Sequence, residues 1–524
     1  MPNAGSTRLV LAAMIFAVAM TFIDQTIVSL AIPELQKDLG LSATGTQWII
    51  NAYLLSLSAL FAFGGRLADI AGHRRMVVIG VVVFAVASAL CGLTPTGEVA
   101  EAWMIVFRVI QGAGAAIMFP AALAIVVAAF PMAERGKALA IFFGITGGLT
   151  AVGPFLGGYL TEWTWRAIFW VNVPVAIIAL ILIYLAKPDD RRTPAAIDWR
   201  GTALIAGGMA LSVLGLQQSS DWGWTNPATI ACIAVGLLLL LAFVRVELRT
   251  RTPLIDVNIF RDRGFAAANG VLFLFSMAFI PVFFFTSEYA QISVGDDASS
   301  AGLFLLVFFA GFGGAAQWGG KVYDEKGVRA AVIPGCALGA VGFFFWARAL
   351  DDFQLGDQWI WIVMAGAGCG LILGPASTDA LNRVAATRYG EATGITQTVR
   401  NFGASIGLAV LGTILIMRTE ANVESSLGAL GVPSDRAHAV ADALTSSGGG
   451  RASGSFGEET GAAAERAFAA VRTDFANATE TVFYVMAGIM AALYVLAHFW
   501  LPHGRVAQAQ QAGPAREAGQ EAAG

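Results

Sequence analysis

Apolar stretches of about 20 residues follow one another along the chain, separated by short polar segments. A helical run of that length spans the hydrocarbon core of a bilayer. The pattern therefore predicts an all-α membrane protein with 14 transmembrane helices. The predicted spans are 9–32, 47–67, 77–94, 103–129, 138–160, 167–186, 201–219, 227–244, 265–290, 299–319, 330–349, 358–380, 393–417 and 480–501.

Composition agrees with this class of protein. Only 13% of the 524 residues are charged, against about 25% in a typical soluble protein. The four cysteines lie singly in apolar segments, and the four histidines are scattered. The chain has no phosphate-cradling GxxxxGK[ST] loop. We therefore expect no enzymatic activity, no metal, no use of ATP and no nucleic-acid partner.

Basic residues predict the orientation of the helices. Of the 32 Lys and Arg residues, 22 fall on the side of the N-terminus, whereas the short opposite loops hold three. An excess of basic residues marks the cytoplasmic side. Both termini are therefore predicted to be cytoplasmic, in the cell (inner) membrane. The first apolar run is too long for a cleavable signal peptide.

Two motifs recur at similar offsets. GRLADIAGHR, beginning at Gly65, aligns with GKVYDEKGVR, beginning at Gly320, at an offset of 255. GIT followed by spaced glycines occurs at 144 and again at 394, at an offset of 250. Because the matched loops lie on one side of the membrane, the repeat predicts two parallel six-helix bundles, a plan that transporters use. Helices seven and eight then form an inserted pair.

This repeat predicts the domain organisation. Residues 1–190 form the N-terminal bundle, 191–263 the inserted helices with their linkers, and 264–501 the C-terminal bundle. The C-terminal bundle includes an outer loop, 418–479, which is polar and rich in Gly, Ala and Ser. There we expect short helices or disorder outside the membrane. The tail 502–524 is predicted to be a disordered cytoplasmic segment.

Asp24 lies inside the first apolar run, in DQTIVSLAIP. A charge at the centre of a membrane helix costs about 3 kcal/mol, so such a residue is a functional candidate. A carboxyl group whose protonation responds to both burial and a nearby cation can take up and release a proton. Arg108, in RVIQGAGAA, has a similar predicted depth, so we expect the two to interact directly or through water. An Arg108 bonded to helix carbonyls is the alternative.

Two further motifs contain glycines. In GPFLGG, which begins at Gly153, the glycines permit close helix contact and the proline bends the helix. In the loop 65–75, Gly72 allows a tight turn, and Asp69 is placed to pair with nearby arginines. Generic helix packing and membrane anchoring are the alternatives. The predicted gating and structural residues are Gly65, Arg66, Asp69, Gly72, Arg74, Gly153, Pro154, Gly157, Gly158 and Asp324.

These patterns resemble those of the major facilitator superfamily, specifically its 14-helix drug:proton antiporter branch (the EmrB/QacA type). The resemblance implies the major facilitator fold, with two six-helix bundles plus two inserted helices. In that branch the acid of the first helix is linked to proton coupling, and GPxxGG is associated with exporters. Ser29 stands where the branch usually has asparagine, and His73 where an arginine is common.

The second half offers weaker candidates for substrate binding: Glu288, Gln291, Arg400 and Phe283. Glu288 could bind a cationic substrate or a second proton, or it could be a water-exposed helix end. Arg400 is a functional candidate because it lies within a membrane helix, although pairing with Asp379 is as plausible. Phe283 belongs to a phenylalanine cluster that lines a drug pocket, faces lipid or serves packing.

The sequence predicts a proton-coupled efflux antiporter that exports small hydrophobic or cationic compounds, such as drugs or antibiotics, by alternating access. The proton gradient is the expected energy source, without a cofactor. The expected partners are a small-molecule substrate, protons and the lipid bilayer, and the resemblance leaves a periplasmic adaptor open. A uniporter or importer of a small metabolite and a non-transporting membrane sensor are the alternative functions.

Overall fold

The computed structural model describes residues 4–131, 135–188, 197–296, 298–384, 388–430, 432 and 462–504. Within these ranges the chain is almost entirely helical and has no strand, which confirms the predicted all-α class. The long helices are α1 (Ala4–Leu39), α2 (Ala43–Ala71), α3 (His73–Gly92), α4 (Ala100–Ala129), α5 (Arg135–Trp163), α6 (Ala167–Ala186), α7 (Trp199–Gln217), α8 (Pro227–Glu247), α9 (Arg263–Val294), α10 (Ala298–Lys326), α11 (Val328–Arg348), α12 (Leu355–Asn382), α13 (Tyr389–Ala429) and α14 (Ala462–Trp500).

Most of these helices are suited to a membrane. Among the described residues, 13 helices are long and apolar enough to cross a bilayer, and each coincides with a predicted span. The remaining helix, α5, occupies the fifth predicted span. The apolar runs of the sequence therefore predicted the transmembrane architecture.

The two halves of the molecule use the same set of helix contacts. In the first half α1 packs on α4, α5 and α6, and α4 packs on α2 and α3. In the second half α9 packs on α12, α13 and α14, and α12 packs on α10 and α11. The halves meet where α2 contacts α13 and where α5 contacts α10. The second half thus repeats the packing of the first, whereas the domain boundaries at 190, 263 and 501 stay predictions.

The repeated loop makes the same turn in both halves. Gly72, between α2 and α3, has a φ of 104°, and its N–H donates to the carbonyl of Ala68 at 2.9 Å. Gly327, between α10 and α11, has a φ of 89°, and its N–H donates to the carbonyl of Tyr323 at 2.8 Å. Because a residue with a β-carbon is strained at such a φ, glycine is required at both positions.

The inserted pair, α7 and α8, lies against both halves, because α7 contacts α2 and α13. At the end of α7, Gln217 accepts a hydrogen bond from Asn51 Nδ2 at 2.5 Å and donates one to the carbonyl of Thr44 at 3.2 Å. Thr413 of α13 donates to the carbonyl of Leu216 at 3.1 Å. These bonds lie on the side opposite the chain termini. We call it the outer side, in keeping with the predicted orientation.

The polar segment 418–479 differs from its prediction. Both neighbouring helices extend into it, since α13 continues to Ala429 and α14 begins at Ala462. The buried apolar residues of the two extensions belong to one cluster: Val423, Leu427, Val471 and Phe475. Apolar residues at this spacing form one face of a helix, and the polar composition of the segment concealed them.

Other predicted features of this region lie outside the described residues. The middle of the segment, 433–461, is one of them. The other is most of the predicted disordered tail, 505–524.

Candidate functional site

Asp24, Arg108 and Gln111 form a closed ring of hydrogen bonds inside the first half. Arg108 Nη1 donates to Asp24 Oδ2 at 2.6 Å and to Gln111 Oε1 at 2.7 Å. Gln111 Nε2 donates to Asp24 Oδ1 at 2.9 Å. The side chains of Arg108 and Asp24 are 1% and 0% exposed, so the ion pair is shielded from water. The structure thus brings the two predicted charges into direct contact.

Arg108 is held by further groups of α2. Its Nε donates to the carbonyl of Ile49 at 2.8 Å, and its guanidinium carbon lies 4.5 Å from the ring centroid of Tyr53, which is a cation–π contact. The two interpretations of Arg108, an ion pair and a bond to a helix carbonyl, therefore hold at the same time. Together these contacts join α4 to both α1 and α2.

Gln111 is a member of the site that the sequence analysis did not identify. It lies three residues after Arg108 on α4, so both side chains emerge on the same face of the helix. That spacing is the signal that could have identified it. A neutral amide in a membrane helix is a weaker signal of function than a charge. A buried carboxylate nevertheless needs hydrogen-bond donors for both of its oxygens, and an amide can supply one.

The glycines of GPFLGG bring α5 against the part of α1 that follows Asp24. A β-carbon on Gly153 would lie 1.9 Å from Thr26 Oγ1, and one on Gly157 would lie 3.1 Å from Ile27. The helices therefore approach closely where the glycines occur. Gly158 is also buried. The side chain of Pro154 lies outside the described residues.

Gln291 connects the same part of α1 to the other half. Its Nε2 donates to the carbonyl of Leu30 at 3.0 Å and to Ser287 Oγ at 2.9 Å. Residues 24–30, which we call the 24–30 segment, therefore contact α4, α5 and α9. Residues 26–33 of α1 are all buried, so Asp24 is closed off from the outer side in this conformation. Here the amide of Gln291 joins the two halves.

Two other candidates of α9 are buried. Glu288 is 8% exposed, and the described residues give it neither a hydrogen bond nor an ion pair. Its interpretation as a water-exposed helix end is therefore wrong, because α9 continues past it as a π-helical turn to Val294. Phe283 is fully buried, with its ring centroid 5.1 Å from that of Phe279 and 5.3 Å from that of Phe309. In this conformation Phe283 contributes to packing.

Arg400 is partly exposed and has one polar partner among the described residues. Its Nη1 donates to Gln397 Oε1 at 2.8 Å. Asp379 instead accepts a hydrogen bond from Arg383 Nε at 2.6 Å. The predicted alternative, a pair between Arg400 and Asp379, is therefore wrong. The reason is local, because residues four apart on a helix are neighbours and Arg383 follows Asp379 at that spacing.

The loop after α2 places its charges at the surface of the inner side, which carries residues 4 and 504. Asp69 Oδ1, in the last turn of α2, lies 3.2 Å from His73 Nε2, at the first residue of α3. His73 thus supplies a partner from the position where it replaces the common arginine. The other predicted loop residues are also at least partly accessible at this end: Gly65, Arg66, Arg74 and Asp324.

The family of the chain follows from comparison with known proteins. The model of the Major Facilitator Superfamily matches residues 14–408. The chain belongs to the major facilitator superfamily. It is 33% identical over 411 residues to the tetracenomycin C resistance and export protein of Streptomyces glaucescens, and the aligned region covers 78% of this chain and 76% of that relative. It is 34% identical over 427 residues to the cephamycin export protein CmcT of Amycolatopsis lactamdurans, and the aligned region covers 79% of this chain and 85% of that relative.

Solved structures of superfamily transporters have a similar fold. A bacterial homolog of the human lysosomal transporter Spinster superposes with a TM-score of 0.58 at 18% identity, covering 95% of this chain and 98% of that one. The xylose transporter XylE from E. coli gives a TM-score of 0.59 at 12% identity, covering 95% and 99%. The predicted fold is confirmed, and the family identifies the chain as a membrane transporter and not an enzyme.

Proposed function

We propose that the protein is a proton-coupled antiporter that exports small hydrophobic or cationic compounds, such as antibiotics, by alternating access. Two relatives whose names describe export, of tetracenomycin C and of cephamycin, support the direction of transport and the class of substrate. The proton gradient is the proposed energy source, without a cofactor. The proposed partners are the substrate, protons and the lipid bilayer of the cell membrane. An adaptor stays a prediction.

The ring of Asp24, Arg108 and Gln111 is the observation that carries the coupling. Protonation of Asp24 removes the negative charge opposite Arg108, while Arg108 keeps its bonds to Gln111 and to the carbonyl of Ile49. The change therefore weakens the attachment of α1 to α4 and leaves the contact between α2 and α4 in place. A single proton then has a defined structural effect, which is the release of α1.

The 24–30 segment connects that release to the other half of the molecule. It begins at Asp24, packs on the glycines of α5, and ends at Leu30, whose carbonyl accepts the hydrogen bond from Gln291. A displacement of α1 therefore changes a contact between the halves on the outer side. The proton and the substrate favour different arrangements of the halves, and each shifts the equilibrium only by its differential affinity.

Efflux of ethidium from cells that express the protein tests this proposal. Asp24→Asn and Asp38→Asn form a matched pair on α1, because Asp38 is half exposed near its outer end. We expect wild type and Asp38→Asn to lower ethidium accumulation, and a protonophore to abolish the difference. Asp24→Asn is expected not to export against a gradient.

Other results would contradict parts of the proposal. Proton-linked uptake by the wild type would indicate an importer, and no flux across a panel of compounds would indicate a sensor. Export by Asp24→Asn with an unchanged requirement for the pH gradient would show that Asp24 does not couple transport to protons.

A further inference from the structure

Arg400 is a charged group near the middle of the membrane that the proton-coupling site does not use. Thr398 lies two residues before Arg400 on α13, and it is hydrogen-bonded to Ser58 of α2. Ser58 Oγ donates to the carbonyl of Thr398 at 2.8 Å, and Thr398 Oγ1 donates to the carbonyl of Ser58 at 3.3 Å. Ser58 lies midway along α2. A charge at such a depth costs about 3 kcal/mol and is a functional candidate by default. The function proposed above gives it no role.

The packing of α13 shows which way Arg400 faces. Gly403 and Gly407 contact α9, since β-carbons there would lie 2.5 and 2.2 Å from carbonyl oxygens of that helix. Val399 and Phe402 pack in one cluster with α7. At about 100° per residue, Arg400 lies away from the α7 face and next to the α9 face. The helix α13 also makes smaller contacts with α12 and with α4 of the other half. The side chain is partly exposed, so a ligand can reach it.

The hydrogen-bonding capacity of Arg400 is mostly unused. A guanidinium carries several N–H donors, and the described residues supply one acceptor, Gln397 Oε1. Arg400 Nε is buried without a hydrogen-bond partner. Thr396 Oγ1, one helical turn away, is likewise buried without one. Unpaired donors of this kind are costly to bury, and an acceptor from a ligand would remove that cost.

We propose that Thr396, Gln397 and Arg400 bind the carboxylate of an amphipathic organic acid, so that acidic compounds are among the transported substrates. The planar guanidinium recognises a carboxylate through two parallel hydrogen bonds, which a single ammonium does not reproduce. The apolar part of the ligand occupies the remaining space between the halves. Transport of the bound acid rests on the proposed function, whereas its binding does not.

Binding of two fluorescent probes tests this site. They are 1-pyrenebutyrate and 1-pyrenebutanol, which share the ring and differ in the charged group. The full chain is placed in phosphatidylcholine nanodiscs, so that no anionic lipid competes. We expect the acid to bind roughly tenfold more tightly than the alcohol, after subtraction of binding to empty discs, as one charge-assisted hydrogen bond would give.

Three variants separate recognition from folding. Arg400→Gln is expected to abolish the preference for the acid and to leave alcohol binding within about twofold of wild type, because only the charge-assisted contact is lost. Arg400→Lys is expected to keep part of the preference. Gln397→Glu is expected to abolish it, because it supplies Arg400 with a carboxylate at the position of Oε1.

The outcomes distinguish this inference from the proposed function. Equal affinity of wild type for both probes would overturn the inference. An equal loss of affinity for both probes in Arg400→Gln would overturn it as well. A binding preference without efflux of ethidium or of any other compound in the panel would refute the proposed function alone. Ethidium efflux without a binding preference would refute the carboxylate site alone.

Discussion

Arg108 and Arg400 both lie within transmembrane helices, but their surroundings differ. Arg108 is 1% exposed and meets a carboxylate, an amide, a carbonyl and an aromatic ring. Arg400 is partly exposed and meets one amide. The enclosed charge is part of a structure that is complete without a ligand, whereas most donors of Arg400 have no acceptor among the described residues. A membrane charge alone therefore does not reveal its role, and the groups around it do.

Replacing each arginine in turn is expected to give the largest difference in the free energy of unfolding. Arg108→Gln is expected to lower the free energy of unfolding by about 3–5 kcal/mol, because it leaves Asp24 buried without its counter-charge. Arg400→Gln is expected to cause no loss, since it removes an unpaired charge from the membrane. Unfolding in detergent mixtures measures both. The double variant Asp24→Asn, Arg108→Gln should recover much of the loss, and equal losses in the two single variants would contradict the comparison.

Two buried glutamines test the same contrast at a smaller scale. Gln111→Leu leaves a carboxylate oxygen of Asp24 without a donor, and it is expected to cost about 3 kcal/mol. Gln358 bonds only neutral groups, accepting from Trp346 Nε1 and donating to Tyr289 Oη, so Gln358→Leu is expected to cost between about 1 and 3 kcal/mol. The same unfolding assay measures both. A larger loss for Gln358→Leu would reject the argument from charge.

Glycines at matching places in the two halves give the next comparison. A β-carbon at Gly407 would lie 2.2 Å from the backbone carbonyl oxygen of Met277, whereas one at Gly157 would lie 3.1 Å from atoms of Ile27. An approach of 2.2 Å forces the backbone to shift, whereas an approach of 3.1 Å requires the neighbouring atoms to move by only a few tenths of an ångström. Gly407→Ala is therefore expected to cost about 1–3 kcal/mol and Gly157→Ala less than about 1 kcal/mol. Unfolding temperatures of the two variants check this. The reverse order would show that α1 is the more rigid contact.

The smallest effect is expected at a pair exposed to water. Arg388 donates to Asp256 at 2.7 Å and to Glu391 at 2.9 Å. Burial alone would raise the pKa of Asp256, but hydrogen bonds from Asn258 and Arg388 outweigh it and hold that pKa below its ordinary value. Asp256→Asn is expected to cost less than about 1 kcal/mol, because exposed pairs contribute little.

The pH dependence of that pair has a definite sign. Because its pKa is lower in the folded protein, Asp256 contributes stability above the ordinary carboxyl pKa of about 3.9 and loses that contribution as the pH falls through the folded value. Unfolding of wild type and Asp256→Asn should therefore converge in acid. A difference that grows as the pH falls would contradict the assignment.

The fold was predictable from sequence to a large extent, because apolar runs of bilayer length have few alternatives. The predictions were wrong where a helix leaves the membrane. The extensions of α13 and α14 bury apolar side chains on one face only, so a polar average hides them. Glu288 was misjudged for a related reason, since α9 continues past it in a π-helical turn that composition does not indicate.

The candidate site was predictable in part. The depth of two opposite charges predicted the contact between Asp24 and Arg108. Gln111 was missed because a neutral residue carries no comparable signal, although its spacing from Arg108 was visible. The partner of Asp379 was also visible in the sequence, at Arg383 four residues later. That Arg400 has no carboxylate partner among the described residues was not visible, because it depends on how every neighbouring helix is packed.

The inserted helix pair has a consequence for movement. At its outer end α7 holds α2 through Asn51 and Thr44, and it holds α13 through Thr413. If the halves separate on that side, α7 must lose its hydrogen bonds either to α2 or to α13. Its bonds to α2 are the more numerous, so the inserted pair would stay with the first half and move with it. The stretch 248–262, anchored to the second half through Asp256 and Arg388, would have to absorb the whole displacement.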